Sequence, residues 1–476
     1  MDNLKKKTVK GLFWSFFDSF SNAGVQFLVG IILARVLSPR EFGLIGLLTV
    51  FIAVSQSFVD SGFSRALIRK KNCTQIDYST IFYFNLVIAV LFYFILFISA
   101  NEVSTFFKEP QLEILLKVLG LGLILNGFGI IHRTILIKNI NFKLQTKISL
   151  IASLSSGVIA ILMAFWGYGV WSLVALTLSR FGLSSLFLWI LTKWKPLRVF
   201  SKKSFKELFS FGSKLLLSGL IDTIYNNIFY LIIGKYYSPI QLGYYTRAEQ
   251  FQALPSQNLS GMISKVTYPV LSSIQDDIPK LKLAYRKIIR STMLIAFILM
   301  LGMAALAKPM ILVLIGENWL PAVIYLQMLC FVGMFYPLHA LNLNMLQVQG
   351  RSDLYLRLEI IKKILSVPII ILGVFYGIKT MIFGMIINTI IAFYINSYFS
   401  GKMLGYSSLQ QLKDISPSFI IASLVGGGVF ILNFLGIKSV LLLLIIQVIT
   451  GAILTVVICE LTRFSDYRYI KAIFFK

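Results

Sequence analysis

The sequence predicts an all-α polytopic membrane protein with about 14 transmembrane helices. Two parallel six-helix repeats would surround a central cavity, and two C-terminal helices would follow them. The chain is 57% hydrophobic and only 13% charged, whereas soluble domains carry about 25% charged residues. Apolar runs long enough to cross a hydrocarbon core of ~30 Å recur from end to end. A short motif also returns at a fixed offset, which indicates an internal repeat.

The first apolar run begins at Gly11 and follows the basic residues Lys5–Lys7. It is too long for the apolar region of a signal peptide and lacks a small-residue cleavage site, so it is predicted to be a retained span. The eighth run is the least apolar, and the internal repeat is the reason to keep it. The predicted spans lie at about 11–37, 41–63, 78–100, 112–133, 146–166, 168–192, 207–235, 242–264, 288–307, 319–348, 354–376, 378–400, 415–435 and 437–460.

The distribution of basic residues supports this number of spans. If the amino terminus is cytoplasmic, most of the 45 Lys and Arg residues fall in cytoplasmic loops and in the C-terminal tail. One span more or fewer would exchange the sides of every later loop and remove this asymmetry. We therefore expect both termini to be cytoplasmic. The net charge of +26 is explained by this topology, and no nucleic-acid partner is predicted.

The repeat is visible in two copies of a Ser-Pro-x-x-apolar-Gly motif, Ser38–Gly43 and Ser238–Gly243. Six spans separate the copies, and because six is even, both halves enter the membrane from the same side. Parallel halves of this kind surround a central cavity in some transporters. We expect an N-lobe at 1–200 (spans 1 to 6), a C-lobe at 201–402 (spans 7 to 12), and the last two spans with a cytoplasmic tail at 403–476.

Polar residues lie on one face of the first span of each repeat. Asp18, Asn22 and Gln26 lie on this face of span one. Under the 200-residue offset Asn22 and Gln26 correspond to Asp222 and Asn226 in span seven, where Lys214 lies on the same face. Polar groups inside a bilayer are costly and tend to face a watery cavity or other helices. These residues are predicted to line the cleft or to take part in ion coupling. The alternative is that they only join helices through hydrogen bonds.

Other candidates lie in later spans. Arg247 and Glu249 begin the least apolar span, Arg180 lies within span six, and His339 in span ten could exchange a proton with solvent near neutral pH. The alternatives are an arginine that reaches to the interface, an ion pair between Arg247 and Glu249, and a histidine that only packs. His132 is interpreted as interfacial.

Three further cations could attract an anionic head group along the substrate path, or could simply set the topology. They are Arg35, Arg65 and Lys265, of which the last two are related by the repeat. The three cysteines are scattered singly and the two histidines are far apart. We therefore expect no disulfide framework, no metal site, no cofactor and no Ser-His-Asp catalytic site.

Three segments resemble the polysaccharide transporter family, which contains the Wzx-like flippases of lipopolysaccharide and exopolysaccharide units. They are Ile32–Gly43, Asp60–Arg69 and Tyr237–Ala248. The family belongs to the multidrug/oligosaccharidyl-lipid/polysaccharide exporter superfamily, and the resemblance covers essentially the whole chain. Among the candidate cations, Arg247 lies on a recognisable family motif, whereas Lys214 and Arg180 rest on their local sequence.

The resemblance implies a flippase of the bacterial inner membrane that is not an enzyme. It would move an undecaprenyl-pyrophosphate-linked oligosaccharide to the outer leaflet by alternating access, as a monomer in contact with membrane lipids, and H⁺ or Na⁺ could be the coupling ion. Arg247 is the first candidate for contact with the head group. The alternatives are a cation-coupled multidrug antiporter of the same superfamily, a polytopic glycan polymerase or ligase, and a channel. The short outer loops argue against the polymerase or ligase.

Overall fold

The computed structural model describes residues 2–60 and 62–474, and within this part of the chain it contains helices and no strands. Helix packing groups the chain into two compact units, residues 1–243 and 244–476. The helices of the first unit are α1 (Asp2–Val36), α2 (Pro39–Asp60), α3 (Phe63–Arg69), α4 (Gln75–Phe107), α5 (Gln111–Lys138), α6 (Phe142–Phe165), α7 (Trp171–Leu191), α8 (Lys202–Tyr236) and the first residues of α9 (Pro239–Ser272).

The second unit contains the rest of α9 and eight further α-helices. They are α10 (Ile278–Leu314), α11 (Ala322–Gly333), α12 (Tyr336–Val348), α13 (Ser352–Tyr376), α14 (Ile378–Leu404), α15 (Ser408–Ile431), α16 (Val440–Leu461) and α17 (Ser465–Phe474). Short 3₁₀ turns precede α11 and follow α15, at Glu317–Trp319 and Leu432–Phe434.

The described residues contain 12 segments long and apolar enough to cross a membrane. The two remaining long helices are α9 and α13, which coincide with the predicted eighth and eleventh spans but are not among those 12 segments. The all-α polytopic fold is confirmed, and the number 14 is approximate. The predicted tenth span, 319–348, is divided into α11 and α12, because the backbone leaves the regular helix at Met334 and Phe335.

Helix starts are fixed by side chains that cap free backbone N–H groups. At α4, Thr74 accepts a hydrogen bond from the N–H of Asp77 while the Asp77 carboxylate accepts one from the N–H of Thr74. Ser407 and Gln410 form the same reciprocal pair at the start of α15. Such capping boxes satisfy two donors that have no partner within the helix. They place the boundaries of helices whose apolar runs alone would leave them uncertain by several residues.

The first unit is held together by helix pairs with small residues at their contacts. A Cβ on Gly157 of α6 would lie 2.5 Å from Val29 of α1, and one on Gly127 of α5 would lie 3.3 Å from Ala89 of α4. Lipid tails are as apolar as the side chains, so close van der Waals packing takes the part that the hydrophobic effect plays in water. An aromatic cluster around Phe63 packs α3 against α4, α5 and α8.

The loop between α7 and α8 is fastened to the first turns of α4. Gln75 donates to the carbonyl of Lys195 (2.6 Å), and the hydroxyls of Ser79 and Thr80 accept hydrogen bonds from the N–H groups of Leu197 (2.9 Å) and Ser201 (3.0 Å). These bonds fix the path of the loop and therefore the start of α8.

Lys70 adds an ionic contact at the same end of the unit. Its ammonium lies 3.1 Å from Asp77 of α4 and 3.0 Å from Glu207 of α8. Burial alone would lower the pKa of Lys70, but the hydrogen bonds to Glu207 and Asp77 outweigh it and raise the pKa above the ordinary value of 10.5. The lysine therefore stays charged and joins α4 to α8.

The second unit is built around α10, which packs against α11, α15, α16 and α17. A buried polar network crosses it, in which Tyr285 donates to Asn342 (3.1 Å), and the Asn342 amide donates to Gln411 (3.2 Å). The hydroxyl of Ser400 also donates to Asn342. Fully bonded networks of this kind fix one helix register in an apolar environment.

Candidate functional site

A cavity of about 600 Å³ lies inside the first unit. Its walls are polar faces of α2, α5 and α8, and the residues of each face are spaced three or four apart, which places them on one side of each helix. Asp60, Arg133 and Asn226 carry the strongest polar groups. The full lining is Ala53, Gln56, Ser57, Asp60, Ser64, Asn126, Ile130, Arg133, Thr134, Ile137, Phe181, Thr223, Asn226 and Asn227.

Hydrogen bonds organise the walls of the cavity. The hydroxyls of Ser57 on α2 and Thr223 on α8 lie 3.0 Å apart and join these two helices. Ser64 donates to the Asp60 carboxylate (2.7 Å) at the junction of α2 and α3. The buried Gln56 side-chain oxygen has no hydrogen-bond partner among the described residues. The walls therefore offer both fixed and unused polar groups to a polar ligand.

Two arginines make the site cationic. The guanidinium of Arg133 interacts electrostatically with Asp60 in the cavity and with Asp18 beyond it, and Arg180 of α7 interacts with Arg133 and Asp18. Both arginines are half-buried. In the part of the chain that the structure describes, neither guanidinium makes an ion pair or hydrogen bond. Two cations without close counter-ions are costly inside a membrane protein, and such residues mark sites of function.

The predicted polar residues of span one lie beside this pair. The amide of Asn22 donates to the Asp18 carboxylate (2.7 Å) and to the hydroxyl of Ser149 on α6 (2.9 Å), and the Ser149 hydroxyl donates to Asp18. The two bonds of Ser149 join α1 to α6, as the alternative interpretation of the sequence expected, whereas the bond between Asn22 and Asp18 lies within α1. Asp18 also interacts with both arginines, so these bonds hold in place an acidic neighbour that the two arginines share.

The remaining predicted residues of the first unit are more exposed. Asn226 lines the cavity, whereas Asp222 and Lys214 are exposed on α8 and do not belong to the lining. Arg35 at the end of α1 and Arg65 on α3 are also exposed. The structure thus brings Asn226 to the cavity and Asp18, Asn22 and Arg180 close to it, but it does not bring Lys214, Arg35 or Arg65 there.

The other predicted residues belong to the second unit. Arg247 and Glu249 lie half-buried near the start of α9, and Lys265 is exposed further along the same helix. His339 on α12 is half-buried, and its Nδ1 lies 3.3 Å from the amide of Asn396 on α14. That contact fits the packing alternative for His339, and the candidate roles of Arg247, Glu249 and Lys265 stay predictions.

Two residues were misjudged from the sequence. Arg133 was not selected, because it lies near the end of a predicted span and beside a histidine. The spacing of Asn126, Arg133 and Thr134 on one face of α5 was the available signal. His132 is wrong as an interfacial residue, since its exposed fraction is 0%. Its Nδ1 lies 2.5 Å from the Thr192 hydroxyl, and the centre of its ring lies 4.8 Å from the ring of Trp189 and 5.0 Å from that of Trp194.

The fold and the cavity together define a multi-pass helical membrane protein with an internal polar and cationic site. Within the described residues no group of His, Cys, Asp and Glu has the arrangement of a metal site. A family model described as polysaccharide biosynthesis protein matches residues 32–324. The chain belongs to this family.

Comparisons with individual proteins agree with the family. The chain is 25% identical over 468 residues to an uncharacterized membrane protein in the cps region of Klebsiella pneumoniae, covering 90% of this chain and 95% of that protein. It is 24% identical over 427 residues to the lipopolysaccharide biosynthesis protein WzxC of Escherichia coli, covering 88% and 86%. The structure of the lipid II flippase MurJ in an inward closed conformation superposes with a TM-score of 0.74 at 16% identity, covering 97% of this chain and 99% of that one.

Proposed function

We propose that this protein is a flippase that moves a lipid-linked oligosaccharide, a repeat unit of a cell-surface polysaccharide, across the bacterial inner membrane. It would carry its substrate by alternating access without making or breaking a bond. The observation that carries the proposal is the pair Arg133 and Arg180, two neighbouring guanidiniums at a polar cavity within an apolar helical protein. Membership of the polysaccharide biosynthesis family and the similarity to WzxC and MurJ support it.

The chemistry of the substrate explains the cations. An undecaprenyl-pyrophosphate-linked sugar carries its negative charge on the diphosphate, which cannot cross hydrocarbon unless its lost hydration is replaced. Arginine is always charged, and its planar fork can bind a phosphate through two parallel hydrogen bonds. The polar groups of Gln56, Ser57 and Asn226 would contact sugar hydroxyls. A multidrug antiporter for cations would instead need a cavity without two such arginines, which favours the flippase.

The test removes the charge at Arg133. Arg133→Gln is expected to lower the flipping rate roughly 100-fold, because loss of a desolvated charge contact typically costs a few kcal/mol. Arg133→Lys keeps the charge but loses the two-pronged geometry, so it is expected to retain an intermediate rate. The measurement is translocation of a lipid-linked oligosaccharide in proteoliposomes, normalised to the amount of folded protein.

The matched control is Arg198→Gln, which removes the same charge from an exposed position in the loop between α7 and α8. It is expected to flip at the wild-type rate. If Arg133→Gln also flips at that rate, Arg133 has no part in substrate binding and the proposal loses its main support.

Arg247 is proposed as a second contact with the head group. Arg247→Ala is expected to leave the protein inserted in the membrane but to abolish translocation of its lipid-linked glycan, since Arg247 lies half-buried on the least apolar predicted span. Cellular export of the polysaccharide and the amount of protein in the membrane are measured together. Full export by a normally expressed Arg247→Ala variant would remove this residue from the mechanism.

The remaining parts of the proposal concern organisation. We infer an N-lobe at 1–200, a C-lobe at 201–402 and a C-terminal pair of helices at 403–476, with both termini in the cytoplasm. The protein would act as a monomer, with H⁺ or Na⁺ as the coupling ion and Asp18, Asp222 or Glu249 as its candidate carboxylates. Lys214, Arg35, Arg65 and Lys265 would attract the anionic head group along its path.

A further inference from the structure

A second cavity, of about 380 Å³, lies between α1, at Trp14, and the first turns of α6. It is distinct from the arginine cavity, because the two share no lining residue. Its walls are the indole of Trp14 on α1 and the side chains of Leu144 and Leu150 on α6, and its polar edge carries Lys143 and Lys147. An apolar hollow with a cationic rim matches an amphiphile that joins an anionic head to an apolar chain. We call it the α1/α6 groove.

The groove is a fixed feature of the helix pair. The Thr146 hydroxyl donates to the backbone carbonyl of Trp14 (3.2 Å), which ties the floor of the groove together. The ammonium of Lys143 lies 5.9 Å from the centre of the Trp14 ring. The side chain of Asn141 at its edge already accepts the N–H of Leu144 as a helix cap. The lysines, rather than the helix terminus, are therefore the groups available to a ligand.

The charge at the rim is uncompensated. Lys143 and Lys147 are four residues apart on α6, so they lie on the same helix face, where like charges repel. Both are exposed, and no carboxylate pairs with either of them in the part of the chain that the structure describes. An anion bound between the two ammonium groups would relieve this repulsion.

The groove also leads toward the arginine pair. Asp18 lies one turn beyond Trp14 on α1, and Ser149 lies three residues beyond Thr146 on α6, and these two residues are hydrogen-bonded to each other. Asp18 in turn interacts with Arg133 and Arg180. The α1/α6 seam therefore leads from the two lysines to Asp18, which is an acidic neighbour of Arg133 on α5 and of Arg180 on α7. Lysines that only mark the membrane interface would not need to lie beside a path to the arginines.

We propose that the α1/α6 groove is a loading site for the lipid diphosphate of the substrate, with the phosphates between Lys143 and Lys147 and the first units of the lipid chain against Trp14 and Leu150. The identity of the lipid rests on the proposed function. Binding does not require transport, however, so it can be measured separately. The site would capture substrate at the membrane surface before it reaches the arginines.

The test uses purified protein in phosphatidylcholine nanodiscs and a photoactivatable undecaprenyl diphosphate as the probe. Crosslinked peptides are expected from both sides of the groove, residues 11–18 and 141–150. Lys143→Gln/Lys147→Gln is expected to weaken probe binding about 30-fold, because each basic residue near a lipid phosphate contributes about a fivefold factor in affinity. A labelled-peptide map without these two segments, or unchanged binding in the double variant, overturns the proposal.

The matched control is Lys202→Gln/Lys206→Gln. These lysines are also four residues apart at the start of a helix and exposed, but they do not line the groove. The control is expected to bind the probe like the wild type. An equal loss in both double variants would mean that only the net charge matters, and the groove would then not be a site.

Two competitors distinguish the source of the phosphate. Unlabelled undecaprenyl diphosphate is expected to displace the probe, whereas an equal concentration of phosphatidylglycerol is not. Equal displacement by both would show a general anionic-lipid contact and contradict the assignment to substrate. In proteoliposomes the double variant is expected to raise KM for flipping with little change in the maximal rate. A wild-type protein that binds the probe here but never flips it would refute the proposed function, while the α1/α6 groove would stand as a binding site for a lipid diphosphate.

Discussion

Arg133 and Arg180 indicate a binding site for an anion because few acidic groups of the described chain lie near them. Arg133 and Arg180 share Asp18 as an acidic neighbour, and that carboxylate already accepts hydrogen bonds from Asn22 and Ser149. A carboxylate that is already hydrogen-bonded and forms no ion pair among the described residues attracts the two arginines without neutralising their charge. An anionic ligand can then bind them without first breaking an ion pair, which would otherwise oppose binding.

The buried His132 gives a prediction at the same scale. His132→Ala is expected to lower the free energy of unfolding by about 2–3 kcal/mol, because it removes ring contacts with two tryptophans and the bond to Thr192. His132→Phe keeps the ring contacts and is expected to lose about 1 kcal/mol. The measurement is the thermal unfolding midpoint in detergent. A near-neutral alanine variant would restore the interfacial interpretation of this residue.

Arg133 and Asp18 show which residues of the candidate site can be predicted from the sequence and which cannot. Asp18 and Asn22 were selected because a polar stripe in the middle of an apolar span is visible in one dimension. Arg133 lies five residues before the last residue of α5, Lys138, in a position typical of a basic residue at the membrane surface. Only the packing of α2, α5 and α8 reveals that this end of the helix borders a cavity.

At the scale of elements, the repeated Ser-Pro-x-x-apolar-Gly motif forms a reciprocal contact. A Cβ on Gly43 would lie 1.7 Å from the carbonyl oxygen of Pro239, and a Cβ on Gly243 would lie 1.9 Å from the carbonyl oxygen of Pro39. Each glycine is therefore in direct contact with the backbone of the other copy of the motif, and no side chain fits at either position. The sequence predicted the two turns but not that they touch, because an offset in sequence does not state which repeated segments meet.

The reciprocal geometry predicts coupled mutational effects. Gly43→Ala and Gly243→Ala are each expected to destabilise the protein by about 2 kcal/mol or more, because the new methyl group must displace backbone atoms. The double variant is expected to lose less than the sum of the two, since the first substitution already opens the shared contact. Thermal unfolding of the four proteins measures the coupling.

Gly24→Ala and Gly219→Ala serve as controls for this cycle. A Cβ at either position has no neighbour within 4 Å. Alanine is preferred to glycine inside a helix, so both controls are expected to be neutral or slightly stabilising. Additive losses at Gly43 and Gly243 would show that the two turns act independently and that the close approach does not matter energetically.

At the scale of the whole molecule, the predicted spans agree with the helices because hydropathy and the internal repeat complement each other. Hydropathy is decisive for segments such as α4 and α16 but weak for α9 and α13. The repeat required a span in the place of α9, and the structure contains a helix of 34 residues there. At 1.5 Å per residue such a helix is about 50 Å long, enough to cross a bilayer. The interruption between α11 and α12 was not predicted, since both halves are apolar.

Whether α9 crosses the membrane determines the sidedness of everything that follows it. With about 14 spans, a cysteine in place of Asp276 before α10 is expected to be cytoplasmic, and one in place of Glu317 after α10 to be outside. If α9 lies along the surface instead, both positions change sides. Labelling with a membrane-impermeant maleimide in intact cells and in permeabilised cells distinguishes the two topologies. The native Cys73, Cys330 and Cys459 are first replaced by serine, alanine and alanine, because Cys73 is partly exposed and the other two are buried.

A cysteine in place of Glu109 provides the internal reference. The loop between α4 and α5 precedes α9, so its predicted outer position does not depend on whether α9 spans. Cysteines at positions 109 and 317 are expected to react in intact cells, and the one at 276 only after permeabilisation. Reaction at 109 and 276 but not at 317 would remove α9 from the spans. It would also remove the parity on which the two parallel repeats depend, because six spans between the copies of the motif are what let both halves enter from the same side.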